Sequence, residues 1–189
     1  PLFGVVSRMV AQKGTDLLAE AIHEMLKLDI QLVVVGTGEP WAHFFFGGMA
    51  HRHPERVGCF IGYDNALAHL VEAGSDFFLM PSAFEPCGLN QMYSLAYGTP
   101  PLVRATGGLD DSVENFDEAT LAGDGFKFWS HTAAALYDTV GWATWTYYNN
   151  PAGLAALRKN GMAKRFTWQA AAQAYDQLYR QALRRKRGA

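Results

Sequence analysis

The sequence predicts an α/β fold in which helices cover both faces of a parallel β-sheet. Short apolar runs typical of buried strands alternate with longer segments of helical periodicity. Glycine or proline stands at most of the junctions, where it ends a strand or a helix. The length of 189 residues favours one domain, and an apolar content of 49% is enough for a sizeable core. We therefore predict a single domain over residues 1–189.

The first half of the chain predicts three strand–helix units. Its strands are short runs rich in valine, isoleucine and phenylalanine, and its helices carry apolar residues every third or fourth position. Gly47 and Gly48 weaken the second helix, because glycine is a poor helix former. In chain order we predict a strand at 2–6, a helix from 15, a strand at 30–35, a helix at 41–50, a strand at 56–61 and a helix at 66–73.

The second half predicts three further strands and a helical end. Pro81 ends the apolar run 77–80, because proline has no N–H for a central strand ladder. Gly98 and Pro100 end the next helix. In chain order we predict a strand at 77–80, a helix opened by Gly88, a strand at 102–103, a short helix from 110, a strand at 125–128, and helices from 132 that break near 149–151 and 166–167.

Two strand-to-helix joints in this half predict a phosphate site at one edge of the sheet. The first follows residue 80 and contains Gly88, and the second contains Thr106, Gly107 and Gly108. Each joint points the amino end of a helix, with its free N–H groups, at the carboxyl edge of the strands. Glu85 lies between them and cannot bind phosphate, so it is a candidate acceptor for sugar hydroxyls. A buried structural glutamate is the alternative for Glu85.

Three more residues are expected at the same edge. Arg8 and Lys13 lie in the loop after the first strand, where two cations would neutralise a diphosphate. Tyr63 leaves the third strand there and would stack on a base. The alternatives are solvated loop charges for the two cations and a partly buried rim residue for the tyrosine.

Composition excludes several other classes of function. A net charge of −2 gives no general attraction to nucleic acid or to a membrane surface, and no apolar run is long enough to span a bilayer. The two cysteines, Cys59 and Cys87, indicate no disulfide framework and favour a reducing cytoplasm. The six histidines have no metal-ligand spacing, so we expect no metal. The chain begins directly on an apolar strand, as a part of something longer would.

Four segments of the sequence resemble the bacterial glycogen synthase and plant starch synthase family: SRMVAQKG, IGYDNALAHL, PSAFEPCGLNQ and RATGGLDDSV. The resemblance implies a GT-B fold, in which two Rossmann-like domains face each other across a cleft. Residues 1–189 would be the C-terminal, nucleotide-sugar-binding domain, with a Rossmann-like parallel sheet. The N-terminal acceptor domain, which would supply most of the glucan groove, is absent from this sequence.

The resemblance also implies roles for individual residues. Arg8 and Lys13 match the basic pair that holds the diphosphate of ADP-glucose, and Tyr63 matches the aromatic residue that stacks on adenine. Glu85 matches the glutamate that contacts the glucosyl hydroxyls. Two turns are implied to meet the phosphates and the sugar through their backbone: Gly88, Leu89 and Asn90 in the first, and Thr106, Gly107 and Gly108 in the second.

Three positions depart from the commonest family pattern. Ala83 stands where many members have arginine, and Asn90 stands where many have threonine. Related retaining transferases carry a second glutamate eight residues after the first, and Tyr93 occupies that position here. This last departure makes recognition of the ribose by a carboxylate doubtful.

The function that the resemblance implies is transfer of glucose from ADP-glucose to the non-reducing end of an α-1,4-glucan, with retention of configuration. No metal or cofactor is implied, and the isolated domain is expected to be inactive or nearly so. Two alternatives stay open: another retaining GT-B transferase that uses a UDP-sugar, and a non-catalytic nucleotide- or glucan-binding module. A pyridoxal-phosphate phosphorylase shares the architecture, but no matching lysine motif is present.

Overall fold

Six strands form one parallel sheet in the computed structural model, which describes residues 1–188. Each strand is a short apolar run, as expected for strands that are covered on both faces. Their bounds are β1 Leu2–Val6, β2 Gln31–Gly36, β3 Val57–Ile61, β4 Phe77–Met80, β5 Pro101–Arg104 and β6 Phe126–Phe128.

The helices follow the strands in alternation and then continue to the end of the described chain. A short 3-10 turn at Ala11–Lys13 precedes the first of them. Their bounds are α1 Thr15–Met25, α2 Pro40–Arg52, α3 Asn65–Gly74, α4 Asn90–Tyr97, α5 Gly107–Ser112, α6 Ala133–Asn149, α7 Pro151–Ala163 and α8 Trp168–Arg187.

The strand order is β3-β2-β1-β4-β5-β6, so β1 is central and pairs with strands from both halves of the chain. Leu2 to Val6 align with Gln31 to Val35 on one side, and Phe3 and Gly4 align with Phe77 and Phe78 on the other. The order of the strands reverses between β1 and β4. In sheets of this kind, ligands bind beyond the carboxyl ends of the strands at such a reversal.

The core is built from aromatic residues of three neighbouring strands. Phe3 stacks on Phe77 with ring centroids 5.1 Å apart, and Phe77 meets Phe126 edge to face at 5.9 Å. All three side chains are fully buried. On the opposite face, Gly4 lets α3 approach closely, because a Cβ there would lie 2.9 Å from Cγ1 of Val71 and 2.5 Å from Oγ of Ser75, the C-cap of the helix. Helices on both faces therefore exclude water from the sheet and fix the positions of its strand ends.

The predicted fold class is confirmed, and so is the order of its elements. One boundary was wrong: α5 begins at Gly107 rather than at Asp110, with Thr106 in an extended conformation as its N-cap. The helix opened by Gly88 begins at Asn90, and Gly88 itself has a left-handed backbone (φ 75°) before it. The final helix α8 buries none of its side chains in the described chain.

Candidate functional site

A cavity of about 380 Å³ opens at the carboxyl ends of β1 and β4, where the strand order reverses. We call it the first cavity. The loop after β1 forms one wall, and the loop between β4 and α4 forms the other. Six of the ten residues predicted from the sequence line it: Arg8, Lys13, Glu85, Gly88, Leu89 and Asn90. Residues that lie more than 70 positions apart in the chain are therefore adjacent in space.

Lys13 and Glu85 are joined by an ion pair between Nζ and Oε2. Glu85 is buried, with 6% of its surface exposed, and Ser82 Oγ donates a second hydrogen bond to the same carboxylate at 3.3 Å. A lysine ammonium has three N–H donors, so two remain for other acceptors when one forms a hydrogen bond with Glu85. The predicted phosphate-binding cation and hydroxyl-binding acid thus hold each other at the cavity wall.

The two loops that carry this pair are packed directly against each other. Gly14 has a left-handed backbone (φ 73°), and a Cβ there would lie 2.1 Å from the carbonyl oxygen of Pro81. The N–H of Ala83 donates to the carbonyl of Gln12 at 3.0 Å. Only glycine at position 14 permits this close approach, which places Lys13 beside Glu85.

The amino end of α4 faces the first cavity. Its N-cap, Leu89, makes no capping hydrogen bond with its side chain, so the first N–H groups of the helix are not capped by that residue. Asn90 Nδ2 donates to the carbonyl of Val6 at 2.9 Å, which fixes the helix start to the end of β1. The joint therefore presents positive partial charge to the cavity beside Arg8 and Lys13, an arrangement suited to an anion.

The second predicted joint lies behind the Glu85 loop and does not line the first cavity. The N–H of Gly108 donates to the carbonyl of Glu85 at 3.0 Å. A Cβ on Gly107 would lie 2.3 Å from that same oxygen, and one on Gly108 would lie 2.1 Å from the carbonyl oxygen of Cys87. The structure thus brings Thr106, Gly107 and Gly108 against the backbone of the loop, and their predicted contact with phosphate stays a prediction.

Tyr63 lies at a second cavity of about 290 Å³, beyond the ends of β2 and β3. Its side chain is 88% exposed, so one face of the ring is free to stack. The next residue, Asp64, caps α3 by accepting a hydrogen bond from the N–H of Leu67 at 2.9 Å. Arg8 and Asn90 line this second cavity as well as the first, so the two are continuous.

Two supporting residues were missed by the sequence analysis. The Arg104 guanidinium donates to the carbonyl of Ser82 at 2.8 Å and to that of Ala83, so it holds the loop that carries Glu85. Gln91 is fully buried, and its amide donates to the carbonyl of Cys87 at 3.0 Å. Arg104 stands at the end of a strand, directly before the second joint. That position could have indicated a residue at the same edge of the sheet as Glu85.

Residues 1–141 match the family model described as glycosyl transferases group 1. The chain belongs to the group 1 glycosyl transferases. Among curated relatives, glycogen synthase 1 of Geobacter sulfurreducens and that of Geobacter metallireducens are each 64% identical over 188 residues. The match covers 100% of this chain but only 38% of each relative, so the chain spans about two fifths of their length.

A solved structure is also similar to this glycosyl transferase chain. It is the catalytic domain of starch synthase IV from Arabidopsis thaliana, described as bound to ADP and acarbose. It is 34% identical with a TM-score of 0.86, and the match covers 96% of this chain and 38% of that one. The resemblance to glycogen and starch synthases, stated from four sequence segments, is confirmed.

Among residues 1–188, no group of three or more histidine, cysteine or acidic side chains is arranged to hold a metal ion. In the same range, no helix has the length and apolar character needed to cross a bilayer. The predicted roles of the individual site residues remain predictions that binding experiments must test.

Proposed function

We propose that this chain is the nucleotide-sugar-binding domain of a glycogen or starch synthase. The whole enzyme would transfer glucose from ADP-glucose to the non-reducing end of an α-1,4-glucan, with retention of configuration. An N-terminal domain would contribute most of the glucan groove, so the chain alone would bind the donor and transfer glucose poorly or not at all.

One observation carries the proposal: Arg8, Lys13 and the amino end of α4 converge on the first cavity beside the buried carboxylate of Glu85. Positive groups at one end of the cavity suit a diphosphate, and an acceptor beside them suits the hydroxyls of a sugar. A nucleoside diphosphate sugar carries both groups in that order.

The chemistry of this half is stabilisation of the leaving group. As the bond between the anomeric carbon and the phosphate oxygen breaks, negative charge grows on the departing ADP. Arg8, Lys13 and the N–H groups of α4 would meet that charge from fixed positions, which is how preorganised sites lower a barrier. Glu85 would orient the glucosyl group through its hydroxyls, and a hydrogen bond to a charged group is worth about 1.5–3 kcal/mol.

The ion pair between Lys13 and Glu85 would serve both roles together. Each partner limits the motion of the other, so a bound donor finds the cation and the acid already in place. The remaining protons of Lys13 would still reach a phosphate oxygen. Because these groups supply positive potential to the leaving group, we propose that transfer needs no resident metal or cofactor.

The names of the relatives support ADP-glucose over the alternatives. The two most similar curated relatives reported above are named glycogen synthases, and the starch synthase structure is described as bound to ADP. A transferase that uses a UDP-sugar and a non-catalytic binding module are therefore less favoured. Both cysteines are free thiols, which supports our proposal of a cytoplasmic location.

Isothermal titration calorimetry of this chain with ADP, ADP-glucose and UDP tests the proposal. We expect ADP and ADP-glucose to bind at least tenfold more tightly than UDP, because Tyr63 offers an exposed ring to the larger purine. Tighter binding of UDP would support the rival transferase. A folded chain that binds no nucleotide at about 1 mM would overturn the proposal.

A further inference from the structure

The second cavity contains a carboxylate that neither the motifs nor the proposed mechanism uses. Glu72 is on α3, only 2% of it is exposed, and it nevertheless lines this cavity together with Tyr63, His69, Asn90 and Tyr93. Burying a carboxylate is costly unless hydrogen bonds replace its water. A buried acid at the wall of a cavity therefore needs an explanation.

The hydrogen bonding of Glu72 is incomplete within the described chain. Its Oε2 atom is buried and makes no bond that satisfies hydrogen-bond geometry in residues 1–188. His69 Nδ1 lies 3.2 Å from Oε2 and also 3.3 Å from the hydroxyl of Tyr97, so the two oxygens share one ring nitrogen. Burial raises the pKa of Glu72, and the neighbouring His69 opposes that rise only in part. A carboxylate has about four acceptor positions, and contact with one ring nitrogen leaves most of them free for a ligand.

The two cavities together indicate how a bound nucleotide would be oriented. Arg8 and Asn90 belong to both, so the diphosphate lies at their junction if it occupies the first cavity. Tyr63 is at the exposed rim of the second cavity, where a base would stack. In a nucleotide the ribose connects the phosphate to the base. It therefore lies between Asn90 and Tyr63, beside the wall formed by Glu72, His69 and Tyr93.

We propose that Glu72 accepts a hydrogen bond from a hydroxyl of the nucleotide ribose. The inference rests on the proposed function, and it assigns ribose recognition to α3 rather than to position 93, where this chain has tyrosine. His69 positions the carboxylate from the same helix. Ribose offers two vicinal hydroxyl donors, which match an acceptor that lacks one.

The test compares nucleotides that differ by one hydroxyl. The unmodified chain is titrated with ADP, 2′-deoxy-ADP and 3′-deoxy-ADP by calorimetry. We expect at least one of the deoxy nucleotides to bind about 10- to 100-fold more weakly than ADP, because its missing hydroxyl would leave a buried acceptor without a donor. Binding of both within twofold of ADP overturns the inference without any variant being made.

A matched pair of variants then assigns the effect to Glu72. In Glu72→Gln the charged acceptor is lost, so ADP should weaken and the preference for ADP over the discriminated deoxy nucleotide should fall to within about threefold. In Glu20→Gln, where the glutamate is exposed on α1 and lines neither cavity, the full preference should remain. A preference retained in Glu72→Gln overturns the inference, even if overall affinity falls.

Two other outcomes distinguish failure of the ribose assignment from failure of the proposed function. If ADP binds and the Glu72→Gln change alters discrimination against inosine diphosphate instead of the deoxy nucleotides, Glu72 contacts the base and the ribose assignment is wrong. If the folded, unmodified chain binds no ADP, the proposed function and this inference fail together. Thermal unfolding of each variant confirms that the proteins compared are folded.

Discussion

The two strand-to-helix joints of this domain look alike in sequence and differ in structure. The joint between β4 and α4 lines the first cavity and presents a buried acid and a helix start to it. The joint between β5 and α5 packs its glycines under the backbone of that first joint. A glycine-rich turn at this edge of the sheet can therefore either line a cavity or pack beneath the loop that lines it. The atoms that a Cβ would meet distinguish these two arrangements.

The largest expected effect is a loss of stability on substitution in the joint between β5 and α5. In Gly108→Ala, the new Cβ would lie 2.1 Å from the carbonyl oxygen of Cys87 and 2.5 Å from its Cα, which are backbone atoms that cannot move aside cheaply. We expect the free energy of unfolding to fall by about 3 kcal/mol, at the upper end of the usual cost of overpacking. Urea denaturation followed by circular dichroism measures it.

Gly47→Ala is the control for that substitution. Gly47 is within α2, and a Cβ there would meet nothing within 4 Å. Alanine is the better helix former by about 1 kcal/mol, so this variant should be as stable as the unmodified chain or more so. Equal losses in the two variants would contradict a supporting role for the second joint.

The next effect on the scale concerns the loop after β1, which forms one wall of the first cavity. Lys13→Ala should weaken ADP binding by about 10- to 100-fold, or about 1.4–2.8 kcal/mol, because a cation at the first cavity is removed. Calorimetry at two salt concentrations measures it, and the loss should shrink at high salt, where charges are screened. Unchanged ADP affinity would remove Lys13 from the diphosphate site.

A smaller effect of opposite sign is expected for Glu85→Gln. The substitution removes the negative partner of Lys13 and leaves the shape of the side chain, so the positive potential of the first cavity rises. ADP should bind about two- to fivefold more tightly, or about 0.4–1 kcal/mol. In a longer enzyme that contains this chain, the same change should lower glucose transfer. Weaker ADP binding would mean that the carboxylate helps to hold the nucleotide.

The smallest effect is expected for Thr106→Val. The side chain of Thr106 makes no capping hydrogen bond to α5, and it lines neither cavity. ADP affinity should stay within twofold of the unmodified chain, and stability within about 0.5 kcal/mol. A tenfold loss of ADP affinity would show that Thr106 contributes to nucleotide binding as well as to the support of the Glu85 loop.

Much of the fold could be predicted because its signals are local. An apolar run such as Phe77–Met80, ended by a proline, indicates a buried strand without knowledge of its neighbours. The start of α5 was misplaced for the same reason. Gly107 and Gly108 are poor helix formers, and their packing against Glu85 and Cys87 outweighs that local preference.

The site could be predicted in its composition but not in its contacts. Placing Arg8, Lys13 and Glu85 at one edge required only a parallel sheet. The ion pair between Lys13 and Glu85 depends on β1 being the neighbour of β4, and no local pattern reports the order of strands. Glu72 was missed because a glutamate on an amphipathic helix normally faces water, and its burial emerges only when α3 and α4 pack together.

The central position of β1 has a consequence for how nucleotide binding and folding are linked. The first cavity takes its two walls from strands that lie on either side of the reversal, and Asn90 fastens one wall to the other. A chain with only half of its sheet assembled would have one wall and no cavity. ADP should therefore bind only the completed sheet and stabilise it. Raising the ADP concentration should raise the melting temperature of the domain as a unit.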